Sequence, residues 1–100
     1  MKTRIHVIAP LVLAALAGAG SAQAQVGQAG RLLASNCFQC HGTNGKGGFD
    51  AINGKSVGEI YKKLKEFQAG KEGDGIMAKH ALGYTDAQMV ALDKWLSTQR

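Results

Sequence analysis

Cys37-Phe38-Gln39-Cys40-His41 is the stretch on which the reading of this chain turns. It contains both cysteines of the sequence, with two residues between them and a histidine directly after the second. Four chemistries use such a pair. Structural zinc needs four ligands, and downstream of His41 there is only His80 and no third cysteine, so carboxylates would have to complete the shell. A thioredoxin-like redox pair belongs in a strand–helix–strand setting, and no alternating apolar pattern marks a strand here. A disulfide between Cys37 and Cys40 would close a loop too short to stabilise much. The fourth chemistry accounts for the histidine as well. Two thiols at this spacing can each reach one vinyl group of a single porphyrin and form thioethers, while the adjacent imidazole is held beneath the iron. The motif therefore predicts one covalently attached haem c, carried by Cys37 and Cys40, with His41 as proximal ligand.

Upstream of the motif, Lys2 and Arg4 precede an uncharged run from Val7 to Gly20, and Ala22-Gln23-Ala24 follows as a small-x-small step. This is the pattern of a secretory signal peptide. The run contains Pro10, Gly18 and Gly20 and falls short of the roughly 20 apolar residues of a spanning helix. Residues 1–24 are expected to be removed on export to the periplasm, leaving 25–100 as one domain without a membrane span. Export agrees with the motif, because haem c is attached outside the cytoplasm.

The 100 residues carry 12 Lys+Arg against 7 Asp+Glu, and 45% are hydrophobic. That composition argues for one small folded domain and against disorder. Cleavage would take away Lys2 and Arg4, and much of the apolar content with them. A domain of the remaining size buries only about 60–65% of its unfolded surface and ordinarily needs a disulfide, metal or cofactor to hold it. The haem would supply the missing core.

Downstream, the pattern predicts an all-α fold of three main helices. Val26, Gly30, Leu33 and Cys37 follow helical spacing into the motif, and Gly30 inside that helix marks a close crossing by the last helix, with Trp95 nearby. Gly42 to Gly48 is a turn-rich loop; it lacks the G-K-[ST] ending of a phosphate cradle. Phe49 and Ile52 are expected to be buried, and Asn53-Gly54 to turn. Ser56-Val57-Gly58-Glu59 reads as a capping box opening a helix over 57–69. Its apolar face is Val57, Ile60, Tyr61, Leu64 and Phe67, a Glu59–Lys63 pair supports it, and Gly70 ends it. The stretch from Lys71 through Gly83 reads as loop, with one helical turn at most. Thr85-Asp86-Ala87-Gln88 is a second capping box, and Met89, Leu92 and Leu96 form the buried stripe of the last helix.

A second axial ligand must come from Met77, Met89 or His80. Met89 lies on the apolar stripe, where methionine is ordinarily core filler. Met77 is favoured, because a loop methionine can approach the iron opposite His41 and a thioether raises the reduction potential of a carrier. His80 is the competitor, and bis-histidine ligation would lower that potential.

The order of these parts resembles the class I c-type cytochromes over essentially all of 25–100. Within Met77-Ala78-Lys79-His80-Ala81-Leu82-Gly83-Tyr84-Thr85-Asp86, a methionine ahead of a Gly-Tyr-Thr-Asp step is similar to the haem subunit of flavocytochrome c sulfide dehydrogenase. Gly54-Lys55-Ser56 and the helix up to Ala69-Gly70 share the likeness. The resemblance implies a class I cytochrome c fold wrapped round one haem, with Cys37 and Cys40 as attachment points and His41 and Met77 as axial ligands. It also implies single-electron transfer with a redox protein partner, either as the haem subunit or direct acceptor of a flavoprotein sulfide dehydrogenase, or as a free-standing soluble shuttle. Many relatives place a proline soon after the motif to orient the axial histidine. Here the one proline is Pro10, so a backbone carbonyl in the Gly48–Asp50 stretch is expected to take that role.

No Ser/His/Asp set or carboxylate pair calls for a catalytic site of the chain's own. Lys46, Lys55, Lys62, Lys63, Lys65, Lys71 and Lys79 are solvated faces or a basic rim that steers an acidic partner. Nucleic acid is not an expected partner, since no aromatic stacking surface accompanies the lysines. Phe38, Ile76 and Ala78 are expected in an apolar patch at the haem edge.

Overall fold

The computed structural model describes residues 2–4 and 27–100. The proposed leader, apart from 2–4, and the start of the first helix at Val26 lie outside the described residues. Helix α1 covers 27–34 and passes through a 3₁₀ turn at Ser35–Cys37 into α2, Phe38–His41. Then follow α3, Glu59–Gln68, α4, Ile76–Leu82, and α5, Asp86–Ser97. No strand occurs among the described residues, and no helix among them is long and apolar enough to cross a membrane.

The expected crossing of first and last helices is present. A Cβ on Gly30 would lie 2.8 Å from the Ala91 carbonyl oxygen and 2.9 Å from Trp95 Cβ, so only glycine lets the backbones meet there. Phe38 and Trp95 extend the joint, with ring centroids 5.9 Å apart. Met89, Leu92 and Leu96 are fully buried as the α5 stripe required, beside Ala34, Leu64 and Ala81. The loop that follows α2 is tied to the far end of α5. Gly54 N–H donates to the Leu96 carbonyl at 2.9 Å, and Asn53 Nδ2 donates to the Gln99 carbonyl at 3.2 Å. The first reaches a carbonyl of the last turn, of the kind a helix end leaves open.

The α5 capping box forms in full. Thr85 Oγ1 accepts from Gln88 N–H at 3.2 Å, and Gln88 Oε1 accepts from Thr85 N–H at 2.9 Å. Gly70 ends α3 as expected, at φ 75°. Gly70 N–H donates to the Phe67 carbonyl and Lys71 N–H to the Glu66 carbonyl, the pair of bonds that defines a Schellman ending.

The Ser56 box does not form. Gly58 is the N-cap of α3, at φ 98°, and no local side chain caps the helix. Asp93 of α5 does so instead. Its carboxylate accepts from Gly58 N–H at 2.7 Å, Ile60 N–H at 3.0 Å and Tyr61 N–H at 3.1 Å. A charged acceptor with three donors outcompetes one hydroxyl. Val57 consequently stays outside the helix and 67% exposed. The Glu59–Lys63 pair is also absent; Lys63 Nζ lies 2.6 Å from Glu72 and 3.8 Å from Glu66.

The second difference is α4. Ile76–Leu82 is a two-turn helix rather than a loop. No Ser, Thr, Asp or Asn occupies its N-cap, which is Gly75, so the usual starting signal is missing. Tertiary bonds hold its C-terminal end. Gln68 Nε2 donates to the carbonyls of Ala81 at 2.7 Å and Tyr84 at 3.1 Å. Tyr84 O–H in turn donates to the Leu33 carbonyl at 2.9 Å, fastening the α4–α5 corner to α1.

Candidate cofactor site

Helices α2, α3, α4 and α5 surround a cavity of about 420 Å³, within the range of cofactor sites. Cys37, Cys40 and His41 form one wall; Ile60, Leu64 and Phe67 of α3 form another; Ile76, Met77 and His80 of α4 a third; Leu92 contributes from α5. The four residues proposed from sequence, Cys37, Cys40, His41 and Met77, thus border a single cavity. A second depression of about 480 Å³, bordered by Ser35, Asn36, Gln39, Lys79 and His80, is polar and lacks the apolar walls a porphyrin face requires.

His41 is held by the loop that follows it. Gly48 adopts φ 70°, and a Cβ there would collide with the Cys40 carbonyl oxygen. Glycine therefore allows Phe49 N–H to reach that carbonyl at 2.9 Å. The chain then brings the Asp50 carbonyl to 2.6 Å from His41 Nδ1. A carbonyl oxygen only accepts, so Nδ1 carries the proton and Nε2 is left as the lone-pair donor. This is the state an axial imidazole needs, and Asp50 is the carbonyl expected somewhere within Gly48–Asp50.

Of the candidates for the second ligand, Met77 is half-buried and packs against the core. His80 borders the same cavity and is exposed. Met89 is fully buried in the core and away from the cavity lining, as its place on the α5 stripe implied.

Cys37 and Cys40 are both unbridged, the first half-buried and the second exposed. Burial pushes the Cys37 thiol up from its ordinary value. Reactive and zinc-bound cysteines work as thiolates, which an electropositive setting favours; this setting opposes the thiolate and suits a thioether, which has no charge to desolvate. The donor set, the apolar walls and the oriented imidazole fit a covalently held haem.

Three expectations about the rim need correction. Phe49 is 90% exposed rather than buried, because the side chain stands at the cavity margin while only Ile52 turns to the core. Ile76 is 70% exposed at the same cavity, as an edge residue should be. Phe38 instead packs on Trp95, and Ala78 is buried in α4, so neither joins an exposed patch. Among the lysines, Lys63 and Lys65 are engaged, the latter with Asp86 at 2.8 Å. Lys46, Lys55, Lys62, Lys71 and Lys79 make no ion pair among the described residues.

Two contributors escaped the sequence reading. Tyr84 borders the cavity and accepts from Asn36 Nδ2 at 3.1 Å; burial is the main reason its hydroxyl holds its proton above the ordinary value. Asp93 anchors the α3 wall. Its position four residues after Met89 and three before Leu96, on the apolar stripe of α5, was the available signal.

The Cytochrome c family model matches residues 27–100. The cytochrome subunit of sulfide dehydrogenase from Chlorobaculum tepidum is 36% identical over 62 residues, 60% of this chain and 56% of that protein. Cytochrome c-553 of Nitratidesulfovibrio vulgaris is 31% identical across 94% of this chain and 96% of its own length. The thiosulfate dehydrogenase electron acceptor of Thiomonas intermedia is 38% identical over 69 residues, 63% of this chain and 32% of that protein. The match thus spans about half the length of the sulfide dehydrogenase subunit and a third of the thiosulfate dehydrogenase acceptor.

Proposed function

The chain belongs to the cytochrome c family, a monohaem class I c-type cytochrome that transfers electrons, and from that premise we propose that it works in the periplasm as the haem subunit or direct acceptor of a flavoprotein sulfide dehydrogenase. Cys37 and Cys40 would hold the haem through thioethers, and His41 and Met77 would supply the ligands to its iron. When bound, the group would supply a ferrous–ferric couple, the chemistry of single-electron transfer. Asp50 keeps His41 in the tautomer that presents Nε2. Met77 contributes a soft, uncharged donor that favours the reduced state. Ile60, Leu64 and Phe67 exclude water from the cavity.

The observation that carries the reading is the convergence of Cys37, Cys40, His41 and Met77 on one cavity, with Nδ1 of the histidine bound at 2.6 Å. The sulfide dehydrogenase assignment rests on the Met77–Asp86 likeness and on the Chlorobaculum relative. The free-standing shuttle is the second reading, favoured by the near end-to-end match with cytochrome c-553.

Purification from the periplasm of the native host separates the two. Co-elution with a flavin-bearing polypeptide, and reduction of the haem by that partner on addition of sulfide, supports the subunit or acceptor reading. A monomer that accepts no electrons from such a flavoprotein removes it and leaves the shuttle.

A further inference from the structure

The acid on the buried face of α5 is the least expected feature of this chain. Asp93 is 2% exposed, so its charge needs compensation from within the protein, yet no lysine or arginine is paired with it among the described residues. The compensation comes from the opening turn of α3. Oδ2 takes Gly58 N–H at 2.7 Å, while Oδ1 takes Ile60 N–H at 3.0 Å and Tyr61 N–H at 3.1 Å. These are amides that a helix start leaves without partners, at its partially positive end. Directly beyond them, α3 presents Ile60, Leu64 and Phe67 to the cavity, and Leu92, the neighbour of Asp93, borders it from α5.

We infer that Asp93 is a positioning residue of the haem site: it fixes the N-terminus of α3 onto α5 and thereby sets how tightly the α3 wall closes on the cofactor. The assignment rests on the haem reading above, and it gives this carboxylate a part in setting the reduction potential, which depends on how far water is kept from the haem. The two oxygens are separable. In Asp93→Asn the amide oxygen retains the bonds to Ile60 and Tyr61, while the NH₂ group faces Gly58 N–H, donor against donor. In Asp93→Ala all three bonds are lost.

The test uses the haem-loaded protein, with mass and absorption confirming one haem in wild type and variants. Amide hydrogen exchange in Asp93→Asn should accelerate at Gly58 by about ten- to a hundredfold, the loss of one charge-assisted bond, with a smaller change at Ile60 and Tyr61. Asp93→Ala should accelerate all three, and the reduction potential should be lower in Asp93→Ala than in Asp93→Asn, two variants that share the loss of charge and differ in how far the wall opens. If Asp93→Ala does not fold, Asp93→Ser, equally uncharged and shorter than Asn, takes its place in the comparison. Unchanged exchange overturns the clamp. Faster exchange with the same potential in the two uncharged variants overturns the positioning role and leaves a plain helix cap. Wild-type protein with no haem contradicts the haem reading itself, a separate outcome visible in the mass before any variant is compared.

Discussion

At the α1–α5 crossing the chain meets itself: Gly30 admits Ala91 and Trp95 to within 2.8 and 2.9 Å of where a side chain would begin. On the other side of α5, the α2, α3 and α4 walls stop around a space of about 420 Å³. Both regions are made of short amphipathic helices. The first is closed by protein atoms alone, while the second leaves Phe49 and Ile76 largely exposed, although such side chains are stabilising only when covered. One half of the core is therefore polypeptide, and the other half is left for the cofactor.

The comparison breaks most completely if the cofactor half is denied its occupant. Replacing both Cys37 and Cys40 by serine should abolish covalent haem and with it the cooperative thermal transition followed by far-ultraviolet circular dichroism, by the logic of ligand-coupled folding. A sharp transition retained without haem would show that the α1–α5 half suffices. The closed half should be sensitive to volume instead. Gly30→Val drives a branched side chain against the Ala91 carbonyl and Trp95 and is expected to cost about 1–3 kcal/mol in a denaturant titration of the haem protein, with the visible spectrum unchanged.

These halves also differed in how readily the sequence disclosed them. The crossing was legible because an isolated helical glycine and an aromatic on the partner helix are local signals of close approach. The Thr85 box and Gly70 were legible for the same reason, since their partners lie within a few residues. Asp93 was not, because its donors, Gly58, Ile60 and Tyr61, sit more than 30 positions away. That remote charge displaced the Ser56 box and moved the start of α3 to Glu59. Helix α4 was hidden for a related reason: Gly75 offers no cap, and Gln68 and Tyr84 fix its end from elsewhere. Phe49 was misjudged because apolar residues were assigned to a protein core, whereas this one stands at the cavity margin.

Smaller perturbations sharpen the contrast. Thr85→Ala removes the oxygen that accepts from Gln88 N–H and should cost about 1 kcal/mol in thermal denaturation, with no change in the haem spectrum, because it weakens the polypeptide half only. The smallest effect is alkaline and bridges the two halves. The Tyr84 hydroxyl holds its proton above the ordinary value for tyrosine, chiefly because of burial. Above pH 10 the folded chain therefore keeps a proton that the unfolded chain releases, and stability falls as pH rises through the folded value. Tyr84→Phe should flatten that part of the stability–pH curve, at a cost of about 0.5–1.5 kcal/mol at neutral pH for the lost bond to Leu33.

In the proposed site a haem attached at Cys37 and Cys40 is gripped between His41 and Met77. The most direct test is the visible absorption spectrum of the oxidised protein beside that of Met77→Ala. The wild type is expected to show a low-spin haem c spectrum with a methionine–iron charge-transfer band, and Met77→Ala to lose that band. A band that survives the substitution would transfer the ligand role away from Met77, and a wild-type protein with no Soret absorption would overturn the haem site altogether.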